Sequence, residues 1–334
     1  MFFPTNSQRL VPGCGNLESK ICLIGDIPGA DDQRTGVPFS GTAGSVLDGC
    51  LQAAGLTRAD CYITNVIKHG VKGNDPKDYY NIKTGAFSKL GMEYVISLMH
   101  ELSTCPANVL VPLGPMAMSA VIHTKAVSKY RGYVMETKGG RKCIPTYHPS
   151  SSLRGQYILR YYMTADFKKA KAESAYPEVI RPELNTIFPI TITECWQWID
   201  YITNKTKTFA CDIEVVNFEV ACISFSALPE LSISIPFYHD HWSEDEECEL
   251  WRMVSTLLES TKHTKVFQNG IFDIQFMMTQ CGIHIPPPYD DTMIAHHIMY
   301  PDMLKGLGFL GSLYCGSREY WKDTVKFENI KEDN

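Results

Sequence analysis

The chain has 334 residues, of which 44% are hydrophobic and 20% are charged, and its formal net charge is −6. A chain of this length usually folds as two domains. Because the net charge is negative, any surface that binds nucleic acid must be a local cluster of Lys and Arg. No apolar run approaches the roughly 20 residues of a membrane span. The twelve cysteines form no C-x-x-C pair, and no signal segment is recognisable, so we expect reduced thiols in a cytoplasmic protein without a membrane partner.

Strand-like and helix-like segments alternate in the first half of the chain, which predicts an α/β fold with a parallel sheet between helices. The predicted strands are Ile21–Ile24, Cys61–Val66, Val109–Leu113 and Lys142–Thr146. The predicted helices are Ala43–Ala54, Phe87–Leu102, Pro115–His123 and Asp166–Ser174. Ligands of such sheets bind at the carboxyl ends of the strands. Asp26, Asn65 and His148 lie at or just past three strand ends, so one cleft should gather them.

The segment 25–44, which follows the first predicted strand, is rich in glycine and proline. Glycine allows a backbone to approach a ligand closely. The same segment carries a carboxylate, Asp26, and an aromatic ring, Phe39. These features predict a pocket for a flat ring beside a carboxylate.

A proline-bearing stretch without helical periodicity predicts a linker, 176–189, between a first domain, 1–175, and a second domain, 190–334. The predicted helices of the second domain are Ile192–Ile202, Glu244–Ser260 and Gly270–Cys281. Its predicted strands are Phe209–Asp212, Val220–Phe225, Leu231–Pro236 and Lys265–Gln268.

Paired acids end the first predicted strand of the second domain. Asp212 and Glu214 are separated by one residue, and alternate residues of a strand point to the same face. Asp273 opens a later helix, close to Asn269. Carboxylates grouped in this way can bind Mg²⁺ or Mn²⁺ for phosphodiester hydrolysis. The alternative interpretation is a pair of exposed strand acids without a metal.

Four motifs of the first half resemble those of the uracil-DNA glycosylase superfamily, and of its family 4 branch in particular. They are GDIPGADDQRTGVPFSGTAG at 25–44, ITNVIK at 63–68, VPLG at 111–114 and TYHPSSSLR at 146–154. The resemblance covers about residues 20–172. It implies an α/β/α sandwich that hydrolyses the N-glycosidic bond of uracil in DNA.

The resemblance also implies roles for the matching residues. Asp26 would orient a water and stabilise the cationic sugar, and His148 would donate a hydrogen bond to the departing base. Phe39 would stack on the base, and the Asn65 amide would pair with its polar edge. The remaining candidates for contact with the substrate are Gly25, Pro28, Gly29, Ser150 and Arg154. This chemistry needs no cofactor.

Two features depart from the family 4 pattern. Asp26 stands where that family has Glu, and a displacement of about 1 Å can cost on the order of a hundredfold in rate. His69 stands where the family has one of four cysteines that bind an iron–sulfur cluster, and only Cys14 remains of the amino-terminal pair. Four thiolates are normally required, so we expect no cluster. The alternative to catalysis is a weak or inactive domain that binds and scans DNA and tethers a polymerase.

The second half resembles the 3′–5′ proofreading exonuclease of family A DNA polymerases, especially phage versions, over about residues 190–330. The resemblance rests on Asp-Ile-Glu, Asn-Gly-Ile-Phe-Asp and the segment 290–310, in that order. It implies a ribonuclease H-like mixed sheet in which Asp212, Glu214 and Asp273 bind the metal. Asn269 would add a polar contact to the substrate.

The third motif of that exonuclease family, a Tyr followed after three residues by an Asp, has no match. Tyr320 is followed by Asp323, which is one position too close. We therefore expect an incomplete exonuclease domain with impaired activity, in an amino-terminal piece of a phage polymerase. The expected partners are uracil-containing DNA and the remaining polymerase domain or other replisome proteins. The sequence leaves open whether uracil, 5-hydroxymethyluracil or a deaminated purine is the target base.

Overall fold

The computed structural model describes residues 9–71, 73, 75–238, 241–316, 320 and 323. It contains two compact units: the first comprises the chain up to Arg181 and from Gly308 onward, and the second is Pro182–Leu307. The boundary at Arg181 lies inside the predicted linker. The sequence assigns the stretch from Gly308 to the second domain, whereas the structure packs it with the first unit. The predicted end of that domain, 324–334, lies outside the described residues.

The centre of the first unit is a six-stranded sheet. Its strands are β1 (Cys14–Gly15), β2 (Ile21–Gly25), β3 (Cys61–Asn65), β4 (Val109–Pro112), β5 (Met135–Glu136) and β6 (Lys142–Cys143). Their order across the sheet is β1-β3-β2-β4-β6-β5. The four central strands are parallel, and the two short edge strands pair antiparallel. This topology brings the carboxyl ends of β2, β3 and β4 to one edge of the sheet, as predicted.

Helices cover both faces of this sheet. They are α1 (Ala30–Thr35), α2 (Thr42–Ala53), α3 (Lys89–Thr104), α4 (Pro115–Ile122), α5 (Val127–Tyr130) and α6 (Leu159–Glu173). Leu23 of β2 belongs to the apolar layer of α2 and α6, and Ile24 belongs to that of α3 and α4. Every residue of β2 is buried, as expected for a strand covered on both faces. The predicted α/β/α sandwich is therefore confirmed.

The fourth predicted strand is shorter than its pattern indicates. β6 ends at Cys143, and Pro145 has no backbone N–H to extend the ladder. A single bridge between Leu113 and Thr146 restores the parallel pairing two residues before His148. The start of the His148 loop is thus still attached to the sheet.

The second unit contains a mixed six-stranded sheet. Its strands are β7 (Asn185–Ile187), β8 (Thr208–Val216), β9 (Glu219–Leu228), β10 (Leu231–Pro236), β11 (Thr264–Phe267) and β12 (Tyr289–Asp291). Their order is β12-β11-β8-β9-β10-β7. The strands β8, β9 and β10 form an antiparallel meander, and β11 lies parallel to β8 and to β12. The predicted mixed sheet is confirmed.

The predicted linker, 176–189, contains a short strand at residues 185–187, where β7 pairs in parallel with β10. The backbone N–H of Asn185 also donates to the carbonyl of Glu230. An open sheet edge offers unpaired backbone groups to an extended segment whatever its side chains are. Side-chain periodicity therefore did not indicate this strand.

Four helices complete the described part of the second unit, and a further helix follows them. They are α7 (Ile192–Lys205), α8 (Glu244–Leu258), α9 (Ile271–Gln280) and α10 (Thr292–Met299), followed by α11 (Leu307–Tyr314). Capping boxes begin α7 at Thr191 and α8 at Ser243. Apart from its first residue, α11 packs with the first unit. In the described part of the chain, no helix combines the length and apolarity needed to span a bilayer.

Candidate active site

Asp26 follows the carboxyl end of β2, where the backbone of Gly25 pairs with that of Asn65. The Oδ1 atom of Asp26 accepts a hydrogen bond of 2.8 Å from the backbone N–H of Ala117. Burial raises the pKa of Asp26 to about 7, and this hydrogen bond opposes the shift. The carboxyl group is therefore close to half ionised at neutral pH, as suits a group that acts on a proton or a developing charge.

Gly25 makes room for two of the predicted side chains. A Cβ atom on Gly25 would lie 2.2 Å from Asn65 Oδ1 and 2.6 Å from the Phe39 ring. Real Cβ atoms do not approach other atoms so closely. The sequence predicts that Gly25 contacts a substrate, and in the structure the absence of a side chain at Gly25 leaves room for Asn65 and Phe39.

Gly114, which follows β4, separates Asp26 from His148. Its φ angle is +96°, a conformation that favours glycine. A Cβ atom at Gly114 would lie 2.9 Å from His148 Cβ and 3.2 Å from Asp26 Oδ2. The carboxylate and the imidazole therefore flank the same small space, as predicted.

Phe39 adopts a left-handed φ of +57°, which is uncommon for a bulky residue. Its side chain is buried, and its ring lies 5.6 Å from the His148 ring at an interplanar angle of 33°. The guanidinium of Arg58 donates hydrogen bonds to the carbonyls of Pro38 and Phe39. Gly44 leaves no room for a side chain beside the Phe39 carbonyl. These contacts fix the Phe39 ring as one wall of the site.

Asn65 presents an unpaired donor. Its residue is 2% exposed, and its Nδ2 atom has no hydrogen-bond partner among the described residues. Leaving such a buried donor unpaired costs about 1–3 kcal/mol. Because Asn65 lines a cavity, its Nδ2 group is available to a ligand carbonyl in that cavity.

Ser150 determines which ring nitrogen of His148 carries the proton. Its Nδ1 atom accepts a hydrogen bond of 3.2 Å from the Ser150 N–H and lies 2.7 Å from the Ser150 hydroxyl. Burial, with a smaller effect of Arg154, lowers the pKa of His148 to about 4. The imidazole is therefore neutral at pH 7, with its proton on Nε2. A neutral imidazole of this kind can donate one hydrogen bond to a developing anion.

A cavity of about 170 Å³ lies beside these side chains. An engineered cavity of about 150 Å³ binds benzene, so this one has the size for a single six-membered ring. The predicted residues in its lining are Gly29, Phe39, Asn65, His148 and Ser150. Four other predicted residues lie outside that lining: Gly25, Asp26, Pro28 and Arg154.

Asp32 supports the cavity; it lies within the motif at 25–44, but the sequence predicted no role for it. Its carboxylate accepts hydrogen bonds from the backbone N–H of Gly29 at 3.1 Å and of Ser40 at 2.7 Å. Asp32 is buried, and its two hydrogen bonds hold Gly29 and Ser40, at the two ends of one loop, close together beside the cavity. A buried acid inside a glycine-rich turn was the available signal, since such acids usually bind backbone donors.

The residues around His69 do not fit a four-thiolate cluster. The His69 ring nitrogens lie 3.0 Å from the Tyr79 hydroxyl and 3.1 Å from the Tyr94 hydroxyl. Cys14, the remaining amino-terminal cysteine, is half-buried and free. Over the residues that the structure describes, no three His, Cys, Asp or Glu side chains form a group that could hold a metal ion.

The paired acids of the second unit lie on β8, where exposed Asp212 and Glu214 alternate with buried Cys211 and Ile213. Both acids therefore share one face of the strand, as predicted. Asp273 in the first turn of α9 is buried, and its Oδ1 atom accepts a 3.1 Å hydrogen bond from the Ile213 N–H. Partial burial and the charges of Asp273 and Glu214 raise the pKa of Asp212 to about 6. Carboxylates suit Mg²⁺ or Mn²⁺, although these three do not form a closed metal-binding group as they stand.

Asn269 has a left-handed φ of +63° and an exposed side chain. The backbone N–H groups of Asn269 and Gly270 donate to the Asp291 carboxylate at 3.3 and 2.7 Å. Asp291 also accepts from the Met293 N–H at the start of α10. Asp291 thus fixes the turn before Asp273, a role that the sequence did not indicate.

Tyr320 and Asp323 belong to the first unit rather than to this acid group. The Asp323 carboxylate pairs with the Lys129 ammonium at 2.7 Å, and the Tyr320 ring lies 5.7 Å from the Tyr133 ring.

Comparison with known proteins relates the first half of the chain to glycosylases. The family model described as Uracil DNA glycosylase superfamily matches residues 12–172. A Type-4 uracil-DNA glycosylase of Thermotoga maritima is 36% identical over 171 residues, which is 50% of this chain and 84% of that protein. A Type-4 uracil-DNA glycosylase of Archaeoglobus fulgidus is 34% identical over 168 residues, covering 48% of this chain and 79% of that protein.

The second half matches a different family. The family model described as 3′-5′ exonuclease matches residues 191–330. A DNA polymerase of Bacillus phage SP01 is 22% identical over 325 residues, which is 88% of this chain but only 34% of the phage protein. The solved structure of Escherichia coli RNase D is 15% identical, covers 43% of this chain and 37% of that chain, and has a TM-score of 0.33.

Proposed function

Because the chain belongs to the uracil-DNA glycosylase superfamily and carries a second domain of the 3′–5′ exonuclease type, we propose that its first unit hydrolyses the N-glycosidic bond of uracil in DNA. One observation carries the proposal: Asn65, whose Nδ2 donor is buried without a partner, lines a cavity of single-ring size. Phe39 and His148 border the same cavity. A base must leave the helical stack to enter such a site.

The cavity offers uracil a complementary edge. Uracil presents an N3–H donor next to the O4 acceptor, and an Asn side chain presents one acceptor and one donor. The Nδ2 group of Asn65 would donate to O4, and its Oδ1 atom would accept from N3–H. Phe39 would stack on the ring, which is worth roughly 1–3 kcal/mol for one base. Cytosine has an amino group in place of O4, so it would leave the Asn65 donor unpaired.

His148 and Asp26 stabilise the two opposite charges that develop on the base and on the sugar as the bond breaks. The bond between uracil N1 and the sugar C1′ breaks, and the electron pair leaves with the base. Neutral His148 donates its Nε2–H to uracil O2, where negative charge gathers. Asp26 stabilises the cationic sugar and orients a water, whose oxygen bonds to C1′ and whose proton is released to the carboxylate or to the uracil anion. Asp26 must be ionised to do this.

A base-release assay tests the proposal. The full chain is incubated in EDTA with an end-labelled single-stranded oligonucleotide that contains one uracil, and abasic sites are then cleaved with alkali. We expect a band at the uracil position that is lost in Asp26→Asn and retained in Asp75→Asn, an exposed control carboxylate. DNA binding without any band would instead support a non-catalytic binding module, which is the main alternative.

For the second unit we propose a 3′–5′ exonuclease module that depends on Mg²⁺ or Mn²⁺. Its support is the shared face of Asp212 and Glu214 and the adjacent Asp273. Bound metal would supply an activated water and charge stabilisation, and these three carboxylates would hold it. We expect weak Mg²⁺-dependent shortening of a 3′-end, abolished in Asp212→Ala. Shortening that persists in Asp212→Ala would contradict this assignment.

Two further expectations accompany the proposal. The first unit acts without an iron–sulfur cluster, because His69 is already bonded to Tyr79 and Tyr94. Iron and sulfide analysis of protein purified without oxygen tests this, and stoichiometric iron would contradict it. The whole chain is expected to act on DNA in repair or replication together with a phage-type polymerase. Modified uracils in the same assay define the range of target bases.

A further inference from the structure

The first unit has a second concavity near the cavity lined by Phe39, Asn65 and His148, which we call the base cavity. Thr42, Ala43 and Gly44 at the start of α2 line the base cavity. The next residue, Ser45, lines a second concavity of about 420 Å³ between α2 and α6. We call this concavity the α2–α6 groove. The two concavities therefore share the helix α2, with the base cavity at its first residues and the groove along the residues that follow.

The α2 side of the groove is smooth. Ser45, Gly49 and Ala53 are four residues apart, so they share one face of the helix, and all three are exposed. A Cβ atom added at Gly49 would contact nothing. This floor leaves space for a chain-like ligand to lie along the helix.

The α6 side of the groove combines an exposed aromatic ring with cations. Tyr161 is 65% exposed and lines the groove together with Arg160 and Lys168. Tyr157, also 65% exposed, lies one turn earlier and contacts the Arg160 guanidinium at 5.8 Å from its ring centroid. Exposed aromatic rings beside cations are the features by which proteins bind single-stranded nucleic acid.

The groove is cationic although the chain is acidic. The acids of α6 are occupied, because Asp166 and Glu173 are buried in ion pairs with Arg131 and Lys142. The exposed acid on the α2 side, Asp48, pairs with Arg58. The charges of Arg160 and Lys168 are therefore not cancelled locally. This is the kind of local basic patch that a chain of net charge −6 needs to bind DNA.

We propose that the α2–α6 groove binds the unpaired DNA strand on one side of the extruded base. Arg160 and Lys168 contact its phosphates, and Tyr161, followed by Tyr157, stacks with its bases. The inference rests on the proposed glycosylase function, because it names where the substrate strand of that reaction lies. The groove adds affinity without touching the bond that is cleaved.

The test measures uracil release by the full chain from oligonucleotides whose flank lengthens one nucleotide at a time, on the 5′ side or the 3′ side. We expect kcat/KM to rise with length on one side only. Tyr161→Ala should raise KM roughly tenfold and keep kcat within about twofold, since stacking on this ring is made equally before and during the reaction. Phe188→Ala, which removes an equally exposed ring of the second unit, should change neither value.

Charge contacts are tested in the same assay. Arg160→Gln should reduce the salt dependence of log KM by about 0.7, the value for one phosphate contact on a single strand. An unchanged KM, flank dependence and salt dependence in both Tyr161→Ala and Arg160→Gln would overturn the inference.

A binding measurement separates this inference from the proposed function. Fluorescence anisotropy with a labelled single-stranded oligonucleotide without uracil measures DNA binding that does not depend on uracil capture, and the Tyr161→Ala variant isolates the contribution of the groove. If the unaltered chain releases no uracil, the glycosylase proposal fails, and a Kd weakened by Tyr161→Ala but not by Phe188→Ala still supports the groove. A Kd that Tyr161→Ala leaves unchanged overturns it. All these side chains are exposed, so thermal unfolding should confirm that each variant folds normally.

Discussion

The guanidinium of Arg58 is hydrogen-bonded to the backbone carbonyl of Phe39, and this contact holds the phenyl ring that forms one wall of the base cavity. Phe39 has a φ of +57°, which costs a non-glycine residue about 1–2 kcal/mol. Arg58 also donates to the Pro38 carbonyl at 3.1 Å and pairs with Asp48. Its contacts therefore offset the strain of placing the ring in the site.

Arg58→Ala should loosen the Phe39 ring and weaken base capture. We expect kcat/KM for uracil release to fall roughly tenfold, with most of the change in KM, since one stacking contact is worth about 1–3 kcal/mol. Arg58→Lys keeps the charge beside Asp48 but lacks the guanidinium fork that reaches two carbonyls, so it should behave like Arg58→Ala. Full activity of Arg58→Lys would show that charge alone suffices.

The raised pKa of Asp26 predicts that uracil release increases with pH through about 7, because the ionised carboxylate is the active form. His148, whose pKa is lowered to about 4, should not titrate in this range. The measurement is single-turnover base release from pH 5 to 9. A rate that is flat across pH 7 would contradict the role of Asp26.

The same shift predicts a cost in stability. The folded state binds a proton at Asp26 more tightly than the unfolded chain, so Asp26 lowers the free energy of unfolding as pH rises from about 4 to 7. Asp26→Asn keeps an acceptor for the Ala117 N–H but removes the buried charge. We expect it to raise the melting temperature at pH 8 and to leave it nearly unchanged at pH 4. A lower melting temperature at pH 8 would disagree with this account.

Asn65→Asp should weaken the preference for uracil. It replaces the unpaired Nδ2 donor by an acceptor, which opposes uracil O4 and suits the amino group of cytosine. We expect kcat/KM for uracil to fall by roughly 10- to 100-fold, the effect of about 1–3 kcal/mol. The ratio of uracil to cytosine release should narrow. Asn81→Asp is the control, because the Asn81 side-chain oxygen accepts hydrogen bonds from the Lys83 and Thr84 backbone, as an Asp carboxylate also can.

Asp166 and Arg131 form a buried ion pair under the His148 loop. Both residues are 1% exposed, and Asp166 also accepts a 2.6 Å hydrogen bond from the Thr146 hydroxyl. Removing one partner of such a pair costs about 3–5 kcal/mol. Asp166→Leu should therefore lower the free energy of unfolding by about that amount, and adding Arg131→Met should recover much of it.

The control for this pair is Asp75→Asn, which breaks an exposed ion pair with Lys77 and should cost at most about 1 kcal/mol. Ser312 accepts from Arg131 at 2.9 Å, so Ser312→Ala should also destabilise the unit, by about 1–3 kcal/mol. Chemical denaturation followed by circular dichroism measures all four variants. An unchanged Ser312→Ala would show that α11 does not support this unit.

Much of the first unit could be predicted from the sequence, because the patterns that mark its strands and helices are local. The predicted strands Ile21–Ile24 and Cys61–Val66 agree closely with β2 and β3, since continuous apolar runs bounded by turn residues mark strands buried on both faces. The predicted helix Ala43–Ala54 corresponds to α2. The first seven residues of α6, Leu159 to Ala165, were missed, because its exposed Tyr161 and Arg160 interrupt the apolar pattern that Tyr162 and Met163 continue.

The sequence by itself determined the order of the strands along the chain and the residue types at their carboxyl ends, which is why Asp26, Asn65 and His148 were identified as neighbours. Only the tertiary structure decided what surrounds them. Asp32 and Arg58 act through backbone groups, and the sequence does not identify which backbone groups become their partners. The strand β7 joins its sheet through pairing with a strand distant in sequence. The helix α11 likewise joins the first unit through contacts with residues distant in sequence. Periodicity reports which face of an element is apolar, whereas the partner of that face is selected by packing of the whole chain.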